Sequence, residues 1–415
     1  MVRSEGSTIP REHTLGGAPA AARLAIDGGP AVRSSMLRYA GQSVDETDIR
    51  AVEAVLRGEW LTTGPAVREF EARLCERTGA RFAVAVNTGT AALHVAAAVA
   101  GLGPGDEVIV PAISFVASAN CVLYQGGRPV FADVCRDTLN LDPADVERRL
   151  TPRTRAIVAV DFAGHPCDHE ALQVLAQRHR LTVIEDAAHS LGATYRGRPV
   201  GVLQPLTTLS FHPVKHITTG EGGAVLTDDP ALAKAARSLR HHGIDLDLHA
   251  RNQGNSWEYD VVALGYNYRI PDINCALGIS QLRRLDAWIA RRRALVAAYR
   301  EALADLPMLE LPQERQDCES AWHLFVVRLR SETVTVTRAQ LFAALRAENI
   351  GVNVHYIPIP WMTHYARLGY PRGQWPVAEA EYARILSLPL FPAMTDRDQA
   401  DVVAALHKVW DVYRR

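Results

Sequence analysis

Between residues 67 and 225 the chain alternates short, continuously apolar runs with segments of helical period. The apolar runs fall at 82–86, 108–111, 129–132, 156–160, 181–184, 207–211 and 224–226, with helical patterns at 90–100 and 169–178 among the segments between them. A strand that is apolar on both sides needs cover on both faces, and helices lying between strands in sequence supply it. The pattern therefore predicts an α/β fold, a mainly parallel sheet covered by helices. In such open sheets ligands bind just beyond the carboxyl ends of the strands. The residues that follow each apolar run are thus the ones to read for chemistry.

Three of these exits carry it. After the run ending at Phe211 comes His212-Pro213-Val214-Lys215-His216-Ile217-Thr218-Thr219-Gly220-Glu221-Gly222-Gly223. A lysine at a strand exit, among small and hydroxyl residues, is placed to act as a nucleophile, and lysine forms Schiff bases with carbonyls, pyridoxal phosphate foremost. Taken alone it reads better as a solvated surface charge. After Val183-Ile184 come Glu185-Asp186-Ala187-Ala188-His189. A carboxylate there can hold a pyridine nitrogen protonated, although Asp186 alone reads equally well as a helix cap. After Val84-Ala85-Val86 come Asn87-Thr88-Gly89-Thr90, opening an alanine-rich helix whose unpaired N–H groups suit a phosphate.

In this order the three segments resemble the DegT/StrS-type sugar aminotransferases, fold-type I enzymes that use pyridoxal phosphate. The resemblance runs from about Leu37 to the C-terminus. It extends to Trp60-Leu61-Thr62-Thr63-Gly64-Pro65, Pro104-Gly105-Asp106-Glu107-Val108-Ile109, Gly265-Tyr266-Asn267-Tyr268-Arg269 and Leu386-Ser387-Leu388-Pro389-Leu390-Phe391-Pro392. The lysine stretch and His355-Tyr356-Ile357-Pro358 look most like the branch that aminates C4 of UDP-linked 4-keto-6-deoxy sugars on the route to pseudaminic acid.

The resemblance implies roles. Lys215 matches the Schiff-base lysine and Asp186 the partner of the pyridine nitrogen. Thr88, Gly89 and Thr90 match the phosphate turn, and Ser210 a serine that also contacts the phosphate. His189 matches the residue beside the ring hydroxyl, and Phe115 an aromatic ring over the cofactor face. Asn267 matches an asparagine that reaches the phosphate from the neighbouring subunit, which implies a homodimer with shared sites. For the nucleotide sugar the matched positions are Tyr39, Thr62, Thr63, Asn353, His355, Tyr356 and Tyr365. The implied reaction takes an amino group from a donor, glutamate, to a nucleotide-linked 4-keto-6-deoxy sugar. TDP-linked ketosugars, 3-ketosugars and ketocyclitols are the alternative acceptors. Gly201-Val202-Leu203-Gln204-Pro205-Leu206 is shorter and less polar than the family's usual segment at this place.

Two other classes fit less well. A sugar dehydratase of this scaffold replaces the lysine by histidine, whereas Lys215 is present and His216 is only adjacent. A pyridoxal-binding transcription regulator carries a fused DNA-binding domain, for which the stretch before Leu37 leaves no room.

The remaining features set expectations of organisation. At 415 residues and 48% hydrophobic the chain can bury a large core in two or three domains. The expected division is a flexible tail at 1–25, a large cofactor-binding domain at 26–275, and a linking helix with a smaller C-terminal α/β domain at 276–415. Basic and acidic residues nearly balance, 45 against 46, so bulk charge offers nothing to nucleic acid or a membrane surface. Six scattered cysteines without a CxxC pair suggest reduced thiols in a cytoplasm. No metal is expected: Cys167-Asp168-His169 reads as a helix entry, and His241-His242 lacks a third ligand at helical spacing. One long helix is expected at 276–303, with Arg283, Arg284, Arg291, Arg292 and Arg293 as a solvated basic face. Strands are expected at 322–329 and 352–356, and helices at 339–346, 378–385 and 398–410.

Overall fold

The computed structural model describes residues 23–245 and 257–415. Its strands are β1 (Phe82–Val86), β2 (Glu107–Pro111), β3 (Arg128–Ala132), β4 (Thr154–Val160), β5 (Thr182–Asp186), β6 (Thr194–Tyr195), β7 (Arg198–Pro199), β8 (Leu206–Ser210), β9 (Gly223–Thr227), β10 (Leu309–Glu310), β11 (Cys318–Glu319), β12 (Phe325–Leu329) and β13 (Ile385–Leu388). Each apolar run singled out between 82 and 226 contributes a strand to one seven-stranded sheet of order β1-β9-β8-β5-β4-β2-β3, with Leu181 and Phe211 just outside β5 and β8. Strands β8, β5, β4, β2 and β3 pair in parallel. Only β9 runs against its neighbours, β1 and β8. The carboxyl ends of β1, β2, β4, β5 and β8 therefore share one edge, and the amino end of β9 joins them there.

The sheet is closed by helices whose composition suits their place. The helix Gly89–Val99 buries Ala91, Ala92, Leu93, Val95, Ala96 and Ala97, and its alanines let its axis press close to the strands. On the other face Ile109, Ile157, Val183 and Leu172 form a separate cluster. Asp45 caps the helix Glu46–Leu56 in a capping box with Asp48. Asp168 caps His169–His179, so that segment is the expected helix entry.

The C-terminal part builds on a second sheet, β10-β12-β13, antiparallel throughout. It packs with the helices Leu285–Ala302, Arg338–Ala347 and Asp396–Tyr413 around Phe325, Val327, Leu345, Leu386 and Leu406.

Several expectations are corrected. The long helix is two, Asp272–Leu282 and Leu285–Ala302. At the break, Arg284 forms ion pairs with Asp45 and Asp48. A boundary at residue 276 would cut the first of these helices, where Gly278 lies against Phe70 of the helix Pro65–Thr78. Arg292 is no solvated charge. It is 1% exposed and donates from Nη1 to the carbonyls of Trp322, His323 and Leu390 at 3.0–3.2 Å. Residues 352–356 are not a strand: only Asn353 bridges to Ser387 of β13. The stretch expected to be helical up to 385 ends at Tyr382, and Ile385 opens β13.

Most of the expected N-terminal tail and the segment 246–256 of the expected polar loop lie outside the described residues. Where the tail is described, it is anchored. Leu24 is 1% exposed in the C-terminal core, and the Ala25 N–H donates to Glu348 Oε1 at 2.8 Å. Among the described residues no helix is long and apolar enough to cross a membrane.

Candidate active site

The shared strand edge opens into a cavity of about 610 Å³. It is lined by Tyr39, Thr88, Gly89, Thr90, Phe115, Asp186, His189, Ser210, Lys215, Asn353, His355 and Tyr356, all expected from the sequence. Ser114, Val160, His212, Glu221 and His323 line it too.

Lys215 stands in the excursion between β8 and β9. The Phe211 N–H donates to the Gly222 carbonyl at 2.9 Å and closes the base of this loop. The Lys215 N–H donates to the His212 carbonyl, also at 2.9 Å. Glycine is required at 222 because a Cβ there would meet Thr219 Oγ1 at 2.2 Å. Burial lowers the Lys215 ammonium to about 8, against the pull of Asp186, so the amine is a usable base near neutrality.

Asp186 ends β5 and is 5% exposed. Ser118 Oγ donates to its Oδ2 at 2.7 Å, and the Ala188 N–H to its Oδ1 at 3.3 Å. Burial pushes its carboxyl above the usual carboxylate range, while Ser118, the Ala188 N–H and Lys215 pull it back. Its sequence neighbour Glu185 joins a separate buried group, in which His169 Nε2 lies 3.0 Å from Asp161 Oδ1 and 3.4 Å from Glu185 Oε1. These three were not grouped by the sequence reading, because the contacts join β5, the end of β4 and a helix. With Ser190 and Thr207 donating to Asp161 and Glu185, they form a buried hydrogen-bonded group in which burial pushes the Glu185 carboxyl up to about 8.

The phosphate turn is built by close contact. Thr88 is the N-cap of Gly89–Val99, and its Oγ1 accepts from the Ala91 N–H at 2.9 Å. A Cβ on Gly89 would sit 2.7 Å from Ser210 Cβ, and one on Gly223 would sit 2.5 Å from the Thr88 carbonyl oxygen. Two glycines thus let the helix start lie directly against the end of β8 and the start of β9. The first N–H groups of a helix lack intrahelical partners, and here they face a serine and two threonines.

Histidines form one wall. His189 Nε2 is 3.2 Å from the Tyr356 hydroxyl, and the His323 ring is 4.3 Å from that of His189. Burial holds His189 and His323 far below the usual imidazole range and His355 near 4, so all three are neutral. Nδ1 of His189 and of His323 are buried and have no hydrogen-bond partner in the described chain. His355 Nδ1 is 2.7 Å from Ser387 Oγ. Phe115, 54% exposed, stands at the mouth with its ring 6.2 Å from that of Tyr356.

The other expected site residues lie elsewhere. Tyr365 is a core residue, 1% exposed, packed edge-on against Phe131 with its hydroxyl donating to Asn120 at 2.6 Å. Its place in the short helix Thr363–Arg367 turns the ring inward. Thr62 is exposed, and Thr63 lines a second, smaller cavity with Arg68, Arg237, Arg240 and Arg269. Asn267 is exposed and outside its own chain's cavity, in a loop held by the Asn87 N–H donating to the Tyr268 carbonyl at 2.9 Å. His323, Ser114 and Ser118 were missed. The spacing of Ser114 and Ser118 by four at a helix start was a usable signal, whereas His323 arrives from a remote strand entry without one.

The family model described as the DegT/DnrJ/EryC1/StrS aminotransferase family matches residues 42–407. The chain belongs to that family. The family is pyridoxal-phosphate-dependent, and this chain is an aminotransferase of that kind. Among solved structures it is similar to Spr1654 of Streptococcus pneumoniae in its PMP-form, at 32% identity over 90% of this chain and 98% of that one, with a TM-score of 0.85. Spr1654 has also been solved in a PLP-form. The chain is similar to Helicobacter pylori PseC, an aminotransferase involved in the biosynthesis of pseudoaminic acid (30% identity, 91% and 100% covered, TM-score 0.85). It is similar as well to DesI, solved in the presence of its TDP-sugar product (35% identity, 94% and 96% covered, TM-score 0.84).

The residues present fit the cofactor. The glycine-lined cradle at Thr88–Thr90 and Ser210 suits its phosphate, the buried Asp186 its ring nitrogen, and the unpartnered His189 Nδ1 a polar ring substituent.

Proposed function

We propose that the enzyme transfers an amino group from glutamate to C4 of a nucleotide-linked 4-keto-6-deoxy sugar, with Lys215 and Asp186 as its catalytic residues. The observation that carries this reading is the convergence of Lys215, Asp186 and the Thr88–Thr90 turn on one cavity whose remaining wall is Asn353, His355 and Tyr356. The likeness to PseC, an aminotransferase involved in the biosynthesis of pseudoaminic acid, over the whole of that chain supports an acceptor from that biosynthesis.

When bound, pyridoxal phosphate supplies a carbonyl to carry the amino group and an electron-withdrawing ring. Thr88, Gly89, Thr90 and Ser210 hold the phosphate end. Asp186 holds a proton at the ring nitrogen. Lys215 Nζ takes the proton from the amino-bearing carbon of the donor and, in the second half-reaction, returns one to C4 of the acceptor. The neutral His189 and the Tyr356 hydroxyl orient the groups between them without adding charge. Phe115 covers the open side and limits water.

A second reading, a TDP-linked ketosugar as acceptor, is favoured by the likeness to DesI. The two are separated by a half-reaction screen of the pyridoxamine form against UDP- and TDP-linked ketosugars and ketocyclitols. The UDP-linked 4-keto-6-deoxyhexose is expected to react fastest. A TDP-sugar or cyclitol reacting far faster overturns the acceptor assignment and leaves the amino transfer standing.

The proposed enzyme is a homodimer with shared sites, supported by an exposed Asn267 outside its own cavity, whose neighbour Tyr268 accepts from the Asn87 N–H just before the phosphate turn. Lys215→Ala and Asn267→Ala chains, each nearly inactive alone, are expected to recover activity when mixed, since one site per mixed dimer is then intact. No recovery, with mixed dimers confirmed by native mass spectrometry, contradicts the shared site. A cytoplasmic setting is supported by six unpaired thiols, four of them buried.

A further inference from the structure

Behind Asp186 lies a short chain of hydroxyls that sequence reading did not use. Ser118 sits in the first turns of the helix Ala117–Tyr124 and is 0% exposed, yet it does not cap that helix, whose N-cap is Val116 without a side-chain bond. Its Oγ is 2.7 Å from Asp186 Oδ2 and 2.8 Å from Ser114 Oγ. Ser114 is itself 1% exposed and lines the cavity.

A serine has one proton to donate, and an ionised carboxylate only accepts. The Ser118 proton therefore goes to Asp186, and Ser114 must donate to Ser118. Both hydrogen bonds are fixed in direction, from the cavity wall through two hydroxyls to the carboxylate. The bond to the charged acid is also the shorter of the two that Asp186 receives, the other being the Ala188 N–H at 3.3 Å.

We propose that Ser118, oriented by Ser114, is a positioning residue that keeps the Asp186 carboxylate ionised and fixed in the cavity wall. The inference rests on the role proposed for Asp186. The titratable groups that face Asp186 are Lys215, Asp161, Cys121 and Tyr356. Burial raises Cys121 and Tyr356 far above neutrality, so both are uncharged. Of the remaining two, Lys215 favours the ionised acid and Asp161 opposes it. Burial, the largest influence, favours the neutral acid; against it stand Ser118, the Ala188 N–H and Lys215, and of the two neutral donors Ser118 makes the shorter bond.

The test is an infrared pH titration of the full chain without cofactor, with Asp186→Asn subtracted to assign the carboxyl band. In Ser118→Ala the Asp186 midpoint is expected to rise by about one to two pKa units, the worth of one hydrogen bond to a charged group. In the loaded enzyme kcat is expected to fall about tenfold or more, with KM for the donor nearly unchanged. Ser118→Thr, which keeps the hydroxyl, is expected to restore both. Ser114→Ala leaves Ser118 in place and is expected to shift the midpoint less, in the same direction, which keeps the test available if Ser118→Ala folds poorly. An unmoved midpoint in both alanine variants, with Asp186→Asn inactive, overturns this inference and leaves the role of Asp186 standing. An active Asp186→Asn overturns both.

Discussion

Lys215→Ala is expected to lower kcat by about 10⁴-fold or more while leaving the fold intact. The loss combines two functions of one amine, covalent attachment of the cofactor and movement of the proton. The three buried histidines and Asp186 are poorly suited to replace it. His189, His323 and His355 are all held neutral by burial and lie against one another and Tyr356, and Asp186 is committed to Ser118. The melting temperature of the cofactor-free protein is expected to hold or rise, because burial already disfavours the Lys215 charge. Circular dichroism and a steady-state assay check both halves. A variant that keeps even a tenth of wild-type kcat contradicts the assignment.

Asp186→Asn is expected to lower the single-turnover rate with glutamate by about 10²–10³-fold, the range for removing one preorganised charge from a reacting centre. The amide matches the carboxylate in shape, and its oxygen can still accept from Ser118. The fold and the cavity are therefore expected to persist. What disappears is the negative charge that holds a proton on the ring nitrogen. Stopped-flow absorbance measures this directly, and comparable rates in the two proteins contradict the role.

The parts of the site that were legible in the sequence share one property. Thr88-Gly89-Thr90, Asp186 and Lys215 each follow an apolar run, and a parallel sheet brings such exits to one edge whatever the connections between them. The resemblance added His189, Ser210, Phe115 and the His355-Tyr356 segment, and the fold gathers all of them at that edge. What stayed hidden depends on remote partners. Arg292 reads as one more charge in a basic helix, and only the carbonyls of Trp322, His323 and Leu390 explain its burial. Tyr365 is matched by resemblance to a nucleotide-sugar contact, but Phe131 and Asn120, remote in sequence, claim its ring and hydroxyl. Residues 352–356 carry a strand-like pattern, yet only Asn353 pairs with the β13 backbone. From there His355 turns to Ser387, and Tyr356 to His189. Thr62 and Thr63 lie away from the Lys215 cavity for a similar reason: their turn is held by Asp272, whose carboxylate accepts from the Gly64 and Ala66 N–H groups at 2.8 and 2.9 Å.

The most direct test of the central claim is where the cofactor attaches. Borohydride reduction of the purified, loaded enzyme, followed by digestion and mass spectrometry, is expected to place a pyridoxyl label on the peptide carrying Lys215 and on no other lysine. A label on another lysine, or none on Lys215 in an active preparation, contradicts the account.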